Sequence, residues 1–433
     1  MEILMQAARF ILDEAKKQGA DYAQCSVNEG EKKEFNVDGG RFSLMRTLFN
    51  RNVVVTVLKD QRKGMVQVNR FDREALAGAV RDAVAASESG KPDPAWEFAP
   101  GPADESYEEG ATVCDTEKLF FRSKELLETI RERHPRILME QMITEHDTSK
   151  NVFLSTNGVC YRTLAGSYGF SLMYSAHEGE KSSSFYGSSV TLKTLDRPVI
   201  DCALIERELT AVERQLEPTA LSGKFTGPVV LAPAALGEIV LETILDNFVS
   251  DTCLIDGTSI WKDSLGRQVA DEHFTLAFDR EREDVVIGGH YTGEGYRAES
   301  YDLIRNGKLE SFALTQYGAN KTGGKRCGNH SGKMRVNPGD RTLDELISGI
   351  DKGLFVMRFS GGAPAASGEF SGVAKNSFLI ENGRITDALS ETMISGCVPE
   401  MLNHIRGIST DLLRDGDVSL PYIAFDGVTI SGK

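Results

Sequence analysis

The chain has 433 residues, of which 40% are hydrophobic and 26% are charged, and its formal net charge is −15. This length exceeds one ordinary hydrophobic core, so we expect about two or three domains, and the balanced composition excludes long disordered segments. The negative charge disfavours nucleic-acid binding as the main role, because a phosphate backbone repels such a surface. The densest basic stretch, residues 321–335, is interpreted as a solvated loop, with a polyanion site as the alternative.

The sequence shows neither a membrane segment nor a secretion signal. No apolar run approaches the roughly 20 residues that span a bilayer, and the first residues lack the basic and apolar regions of a signal peptide. The seven cysteines are scattered and form no Cys-x-x-Cys pair, which favours reduced thiols over a disulfide framework or a zinc ribbon. We therefore expect a cytoplasmic protein without membrane contact.

Residues 1–90 predict an α+β unit. Residues 2–18 carry apolar side chains on one stripe of an amphipathic helix. Strand-like segments separated by turns fill residues 21–68, and Asp72 is placed as the N-cap of a helix over 72–87. The proline-, glycine- and acid-rich segment that follows is interpreted as a linker or surface loop.

A second unit with the same order of elements is predicted over residues 112–217. A helix over 115–133 precedes strand candidates between 137 and 175, and a helix over 201–215 closes the unit. Asn157-Gly158 is expected to join two of these strands as a hairpin. The residue identity between the two units is too low to establish a repeat.

Residues 222–433 predict a strand-rich C-terminal domain. The heptad from Leu303 to Leu309 returns almost unchanged from Leu379 to Ile385, and both copies place Asn-Gly between apolar residues. Asn-Gly is the strongest short hairpin signal, because both central residues of a type I′ turn need φ > 0. With an apolar helix over 234–248, the pattern predicts a curled sheet or partial barrel around one buried helix. The fold class is therefore α+β, with antiparallel sheets in the N-terminal units.

Several short motifs follow one another through this C-terminal domain. In chain order they are the Ala232-Pro233 turn, Gly257-Thr258-Ser259, Gly293-Glu294-Gly295, the first Asn-Gly hairpin, Ser367-Gly368-Glu369-Phe370-Ser371, Phe378, the second hairpin, Glu391 and Ile394-Ser395-Gly396. This order, with the helix and strand order of residues 1–90, resembles the TldD/PmbA family over nearly the whole chain. The resemblance implies two kinds of subunit: a TldD-type zinc metallopeptidase, and a TldE/PmbA-type subunit without the zinc-binding histidines.

The TldD-type motif is His-Glu-x-x-x-His on a helix. Its two imidazoles and a later thiolate hold zinc, and its Glu is the general base for the zinc-bound water. On this chain the motif falls on residues 241–246, where only Glu242 matches. Leu241 cannot ligate a metal, and Asp246 is a lone carboxylate, which makes a poor zinc site without imidazole or thiolate support. The resemblance implies vestigial positions at Glu242 and Asp246; Glu242 is interpreted as a helix-surface or interface carboxylate, with a channel-lining residue as the alternative.

Other candidate residues carry weaker signals. Cys327 and His330 place a thiol and an imidazole three residues apart, and in the family the third zinc ligand comes from the C-terminal half; a free loop cysteine is the alternative. His290, beside two glycines, is interpreted as a loop or strand-end histidine, with a cleft residue as the alternative. Ser367 and Ser371 do not form a nucleophile elbow, because Gly-x-Ser-x-Gly is absent.

The resemblance implies a TldE/PmbA-like subunit of a cytoplasmic metallopeptidase complex. Zinc is then expected in the TldD-type partner and no cofactor in this chain, which forms a homodimer when alone and helps to admit or position unfolded peptides. An older family label is modulator of DNA gyrase. Two alternatives stay open. One is an active metallopeptidase with unusual ligands from Glu242, Asp246, Cys327 and His330, and the other is a non-proteolytic binding protein of the gyrase-modulator type.

Two further expectations concern contacts with other chains. Extended peptides are expected to add to strand edges of the C-terminal sheet, where backbone hydrogen bonds bind without sequence preference. The apolar segments 355–357 and 422–425 are expected either between two chains or in the core of their own domain.

Overall fold

Long antiparallel strands form the N-terminal half of the molecule. The structure, a computed structural model, describes residues 1–328, 333–390 and 392–432, so His330 and Glu391 lie outside the described residues. The strands are β1 (Tyr22–Asp38), β2 (Arg41–Lys59), β3 (Arg62–Val68), β4 (Ala103–Gly110), β5 (Ile137–Ser155), β6 (Val159–Glu178), β7 (Lys181–Ser182) and β8 (Tyr186–Leu192). The order is β3-β2-β1-β5-β6-β4, with β7 and β8 paired to β6.

One sheet runs through both predicted N-terminal units. β1 pairs with β2 along its whole length and with β5 from Gln24 to Asp38. The two units therefore share a continuous backbone hydrogen-bond ladder, although each supplies its own helices. The boundaries 1–90, 112–217 and 222–433 stay predictions.

Helices cover one face of this sheet. They are α1 (Glu2–Lys17), α2 (Arg73–Ser89), α3 (Thr116–Arg133) and α4 (Ile205–Glu213). The Asp72 side chain accepts a hydrogen bond from the Ala75 amide and caps α2, as predicted. Because side chains alternate along a strand, Ala23 and Cys25 pack under α1 and α2, while Gln24 faces the opposite way and donates to the carbonyl of Gly293.

The C-terminal half closes into a barrel. Its strands are β9 (Thr219–Ala220), β10 (Lys224–Leu231), β11 (Leu276–Phe278), β12 (Tyr301–Arg305), β13 (Lys308–Leu309), β14 (Met334–Val336), β15 (Lys352–Gly361), β16 (Glu369–Glu381), β17 (Arg384–Ser390), β18 (Met393–Cys397), β19 (Ile405–Arg414) and β20 (Ser419–Ser431). The ring β20-β10-β15-β16-β18 returns to β20 through antiparallel pairs and one parallel pair, β10 with β15. The predicted α+β class is confirmed.

The predicted buried helix is confirmed as well. α5 (Pro233–Leu236) continues as π-helical turns over Gly237–Leu241 and Ile244–Val249, and we call residues 233–249 the central helix. Its apolar side chains lie in the same core as the inward residues of the barrel strands. Shorter helices complete the half: α6 (Asp251–Ile255), α7 (Gln316–Thr322), α8 (Leu343–Ser348) and α9 (Val398–Asn403).

The apolar segments 355–357 and 422–425 are buried inside the chain, so their interpretation as an interface is wrong. Val356 faces the core around the central helix, while Phe355 and Tyr422 face the core under α3 and α4. Both faces of these strands are covered by this chain alone. The alternative given above, a role in the chain's own core, is confirmed.

Both Asn-Gly pairs of the repeated heptad form the predicted hairpin turns. The φ angles are 49° and 75° at Asn306 and Gly307, and 50° and 75° at Asn382 and Gly383, as a type I′ turn requires. The turns join β12 to β13 and β16 to β17. Their surroundings differ, because a Cβ at Gly307 would lie 2.2 Å from the carbonyl oxygen of Ala270, and one at Gly383 would lie 2.7 Å from that of Ser348.

Alanine at these turns should destabilise the fold in a defined order. Gly39, with φ 54° and open space around its Cβ position, reports the cost of positive φ alone, about 1–2 kcal/mol. Gly383→Ala should lower the free energy of unfolding more than Gly39→Ala, and Gly307→Ala should lower it most, because fixed carbonyl oxygens crowd the new methyl group. Asn382→Gly should be nearly neutral. Equal losses for all three glycine variants in urea unfolding would contradict the steric contribution.

A carboxylate of α4 is enclosed between the N-terminal sheet and the barrel. Glu208 accepts hydrogen bonds from the hydroxyls of Ser188 and Tyr186, and Tyr174 lies beside them at 2.7 Å from the Ser188 hydroxyl. Part of the residue stays accessible to solvent, but its charged end lies among these side chains. This burial raises the pKa of Glu208 to about 7, and the two hydroxyl donors only partly oppose it.

The raised pKa of Glu208 predicts a pH dependence of stability. Below the ordinary pKa of 4.5, the carboxyl group is protonated in both the folded and the unfolded chain, and its burial leaves the free energy of unfolding at its full value. As the pH rises towards about 7, the unfolded chain loses this proton first, so the free energy of unfolding falls. Glu208→Gln keeps a polar group without the charge, so from pH 4.5 to 8 the variant should lose less stability than the wild type, by on the order of 2 kcal/mol. Urea unfolding at both pH values measures the difference. Glu132→Gln, at an exposed position of α3, is the control, and parallel pH profiles for Glu208→Gln and wild type would refute the assignment.

Candidate functional site

Three carboxylates lie four residues apart along the central helix. Glu238, Glu242 and Asp246 share one face because helical residues four apart lie one above the other. Glu242 and Asp246 are exposed, and Glu238 is half-buried and accepts a 2.7 Å hydrogen bond from the Phe359 amide. Leu241, by contrast, is 1% exposed and lies in the apolar core. The helix therefore presents its carboxylates outward and its leucine inward.

We call Glu238, Glu242 and Asp246 the acidic row, and burial and neighbouring negative charge raise pKa values within it. Burial raises the pKa of Glu242, and the neighbouring Asp246 raises it further. Burial also raises the pKa of Glu238, while the Phe359 amide and Arg358 oppose that shift. Such carboxylates can accept a proton or a hydrogen-bond donor. The activation of water for hydrolysis additionally needs a Lewis acid or a correctly placed base.

Cys327 lies in a different environment from the acidic row. It is 3% exposed, and its amide donates to the carbonyl of Leu314. Burial raises the pKa of the Cys327 thiol to about 11, against a hydrogen bond from the Tyr301 hydroxyl and the nearby charge of Arg326. Its burial thus favours the protonated thiol.

The predicted ligand set can be compared with the described structure only in part, because His330 lies outside it. Within residues 1–328, 333–390 and 392–432, no three side chains of His, Cys, Asp or Glu are grouped so that they could hold a metal ion. The roles given to Glu242, Asp246, Cys327 and His330 stay predictions.

His290 joins the two halves of the molecule. Its Nε2 lies 3.0 Å from the Glu109 carboxylate, and its Nδ1 lies 2.7 Å from the Arg280 guanidinium. Its ring stacks on Tyr107 with centroids 3.8 Å apart. Burial lowers the pKa of His290 despite the carboxylate. These contacts hold β4 against the loop of residues 280–297. His290 itself lies in this loop, which agrees with its interpretation as a loop histidine.

A cavity of about 580 Å³ lies between the N-terminal sheet and the C-terminal loops. Its lining residues come from segments far apart in the chain: Gln24, Cys25, Ser26, Val54, Thr56, Lys63, Met65, Trp96, Phe98, Phe153, Asp251, Tyr291, Thr292, Gly293, Glu294, Thr315 and Tyr317. Sequence reasoning missed this site. Two local signals were present. One was the pair of aromatic residues Trp96 and Phe98 inside a segment interpreted as a linker, and the other was the Gly293-Glu294-Gly295 motif, which supplies Gly293 and Glu294 to the lining.

Comparison with protein-family models covers most of the chain. Residues 222–432 match the PmbA/TldA metallopeptidase C-terminal domain, and residues 23–87 match PmbA/TldA metallopeptidase domain 1. The chain belongs to the PmbA/TldD family. Members of this family are metalloproteases of the PmbA, TldD and TldE types. The predicted resemblance is confirmed.

Relatives of this PmbA/TldD family member match along nearly their whole length. Metalloprotease PmbA of Escherichia coli O157:H7 is 24% identical over an alignment of 482 residues with gaps. This alignment covers 98% of each protein. The crystal structure of TldE from Thermococcus kodakarensis superposes with a TM-score of 0.85 at 20% identity, over 98% of this chain and 100% of that one. A Thermotoga maritima protein described as a candidate modulator of a DNA gyrase superposes with a TM-score of 0.81 at 18% identity, over 99% and 100%. The two structures establish the shared fold. Among the described helices, none is both long and apolar enough to cross a membrane.

We expect the purified chain to hold no stoichiometric zinc, because the resemblance places leucine and aspartate at the histidine positions of the TldD-type motif. Elemental analysis after purification without chelator measures the metal content. About one zinc per chain, lost in Cys327→Ser or Glu242→Gln, would contradict this prediction and favour an active peptidase.

Proposed function

We propose that this chain is a TldE/PmbA-type subunit without its own zinc site, which works with a TldD-type metallopeptidase on unfolded peptides. The partner supplies the zinc and the hydrolytic site, and this chain helps to admit or position the peptide. The observation that carries the proposal is the central helix. Its Leu241, at a histidine position of the motif, lies 1% exposed in the barrel core.

The chemistry of zinc peptidases supports this division of roles. A catalytic zinc site needs about three protein ligands, and imidazole and thiolate are the usual donors beside a carboxylate. The acidic row of Glu238, Glu242 and Asp246 offers carboxylates alone.

A partner needs an accessible surface, and β2 offers one. β3 pairs with β2 from Val53 to Lys59, so residues 41–52 have β1 on one side and no paired strand among the described residues on the other. Met45 and Phe49 are 65% and 74% exposed on this edge, beside the exposed Phe42 and Leu44. An unpaired strand with apolar side chains is a template for pairing with another chain.

The C-terminal sheet offers less for this purpose. Its hydrogen-bonded path ends at β9 and β13, each only two residues long. We therefore assign subunit pairing, including a homodimer in the absence of the partner, to the edge of β2. We further infer a cytoplasmic location, since the seven cysteines are free thiols.

Alone, the chain should not cleave unfolded peptides, and mixing it with a TldD-type subunit should give hydrolysis. The reason is that a water nucleophile at neutral pH needs the Lewis acid that the partner carries. Mass spectrometry of a reduced, unfolded test protein after incubation measures cleavage. Chelator-sensitive hydrolysis by this chain alone, surviving repeated purification and abolished in Glu242→Gln, would support the active-metallopeptidase alternative. The metalloprotease name of the E. coli relative favours that alternative.

Charge on the β2 edge should weaken self-association. Met45→Asp combined with Phe49→Asp places two negative charges where the paired subunit would lie, so a dimer should shift towards monomer at micromolar concentration. Light scattering measures the mass. Ile260→Asp, at a 47% exposed position in the C-terminal half, is the matched control. A wild-type monomer, or a dimer indifferent to the β2 charges, would refute the assignment of this edge.

A further inference from the structure

The cavity of about 580 Å³ has the size of a ligand site. Its floor is the face of β1, β2 and β3 that points away from α1 and α2, where Gln24, Thr56 and Lys63 alternate with residues of the helix-covered face. Its other walls come from the segment after α2, from residues 291–294 of the loop between β11 and β12, and from the starts of α6 and α7. Backbone hydrogen bonds from Asp93 to Gln61 and from Ala99 to Glu294 fix that segment across the opening.

Aromatic rings form most of the apolar lining. Trp96 and Tyr317 stack with centroids 3.9 Å apart, and one ring belongs to each half of the molecule. On the deeper side Phe153 and Tyr291 lie 5.5 Å apart. Such walls suit a large apolar or aromatic group, which buries much surface at a low cost in conformational entropy.

Lys63 is the cation of the cavity. Its Nζ lies 4.1 Å from the centroid of the Trp96 ring, and it has no hydrogen-bond or ion-pair acceptor among the residues that the structure describes. The side chain is half-buried, and this burial lowers the pKa of Lys63, while the charge of Glu294 opposes the shift. A half-buried ammonium held by a ring face has donors left for an anionic ligand group.

The carboxylates of the cavity are already engaged. Glu294 accepts from the amides of Gln316 and Tyr317 at 2.8 and 3.2 Å, and Asp251 accepts from the amide of Thr315 at 2.9 Å. These hydrogen bonds fix the start of α7. Among the described lining residues, the carboxylates of Asp251 and Glu294 outnumber the ammonium of Lys63. A polyphosphate would be repelled by this balance, whereas one carboxylate beside Lys63 would be compensated.

We propose that this cavity binds the C-terminal residue of a short peptide, with the free carboxylate on Lys63 and a large apolar or aromatic side chain against Phe153 and Tyr291. Thr56, Gln24 and Thr292 line the cavity beside these groups. The proposal rests on the proposed function only in the choice of a peptide as the ligand. It assigns this chain a role in holding peptide ends or cleavage products.

Binding to the isolated full-length chain tests the proposal. The probes are Ala-Ala-Phe with a free carboxylate and the same peptide as its C-terminal amide, compared by titration calorimetry. The free acid should bind at least about tenfold more tightly, the size of one hydrogen bond to a charged group. The chain has two tryptophans, and the buried Trp261 provides a constant background, so the acid should also change the emission of Trp96.

Variants locate the effect. Lys63→Met should bind acid and amide equally, and Lys63→Arg should keep the preference for the acid, while thermal melting confirms that both are folded. Lys59→Met is the control, because Lys59 lies on the same sheet but pairs with Glu88 outside the cavity. Trp96→Phe should keep a wall ring and lose the emission change.

Several results would overturn the proposal. They are equal affinity of the wild type for acid and amide, no saturable binding of either, a preference that survives Lys63→Met, or an emission change that survives Trp96→Phe. Competition by inorganic phosphate as strong as that by the peptide would assign the site to free anions instead. Recovery of intact peptide by mass spectrometry separates binding from hydrolysis. The peptide-binding result is independent of the test of the proposed function, because that test measures cleavage in the mixture with a TldD-type subunit.

Discussion

The molecule depends on barrel strands that are buried on both faces. Along β10, Val229 and Leu231 point to the core around the central helix, and Val230 points to the core under α3 and α4. The same alternation in β15 and β20 makes these strands the shared wall of two apolar cores. Successive side chains of a strand point to opposite faces, so a shift of the strand pairing by one residue would move the side chains of each core into the other core. The packing of each core therefore stabilises the strand register that the other core requires.

The packing against this shared wall determines which side chains of the central helix are accessible to a substrate or a partner. The central helix is enclosed on its apolar side, which leaves its carboxylates as the face directed outward. Leu241 lies on the enclosed side, within the apolar core. In this PmbA/TldD family member, the side chain at position 241 serves the packing of the barrel.

The same arrangement places the N-terminal sheet against the C-terminal loops. Its helix-free face would be an exposed sheet surface if the barrel were absent. The contacts of Gln24 with Gly293, of Glu109 with His290 and of Trp96 with Tyr317 hold the two halves together around an incompletely filled space. The cavity is therefore a property of the junction, with an aromatic lining contributed by both halves. A peptide held there would touch both halves at once, which couples its binding to their relative position.

Local patterns in the sequence determined the elements of this protein. The amphipathic period of α1, the Asp72 cap and the two Asn-Gly turns depend on residues a few positions apart, and all are confirmed in the structure. The order of motifs also identified the family. Tertiary structure alone decided that both N-terminal units share one sheet, that segments 355–357 and 422–425 are core, and that Lys63 meets Trp96 and Glu294 in a cavity. These outcomes depend on pairing between residues up to hundreds of positions apart, which packing decides and which no local period records.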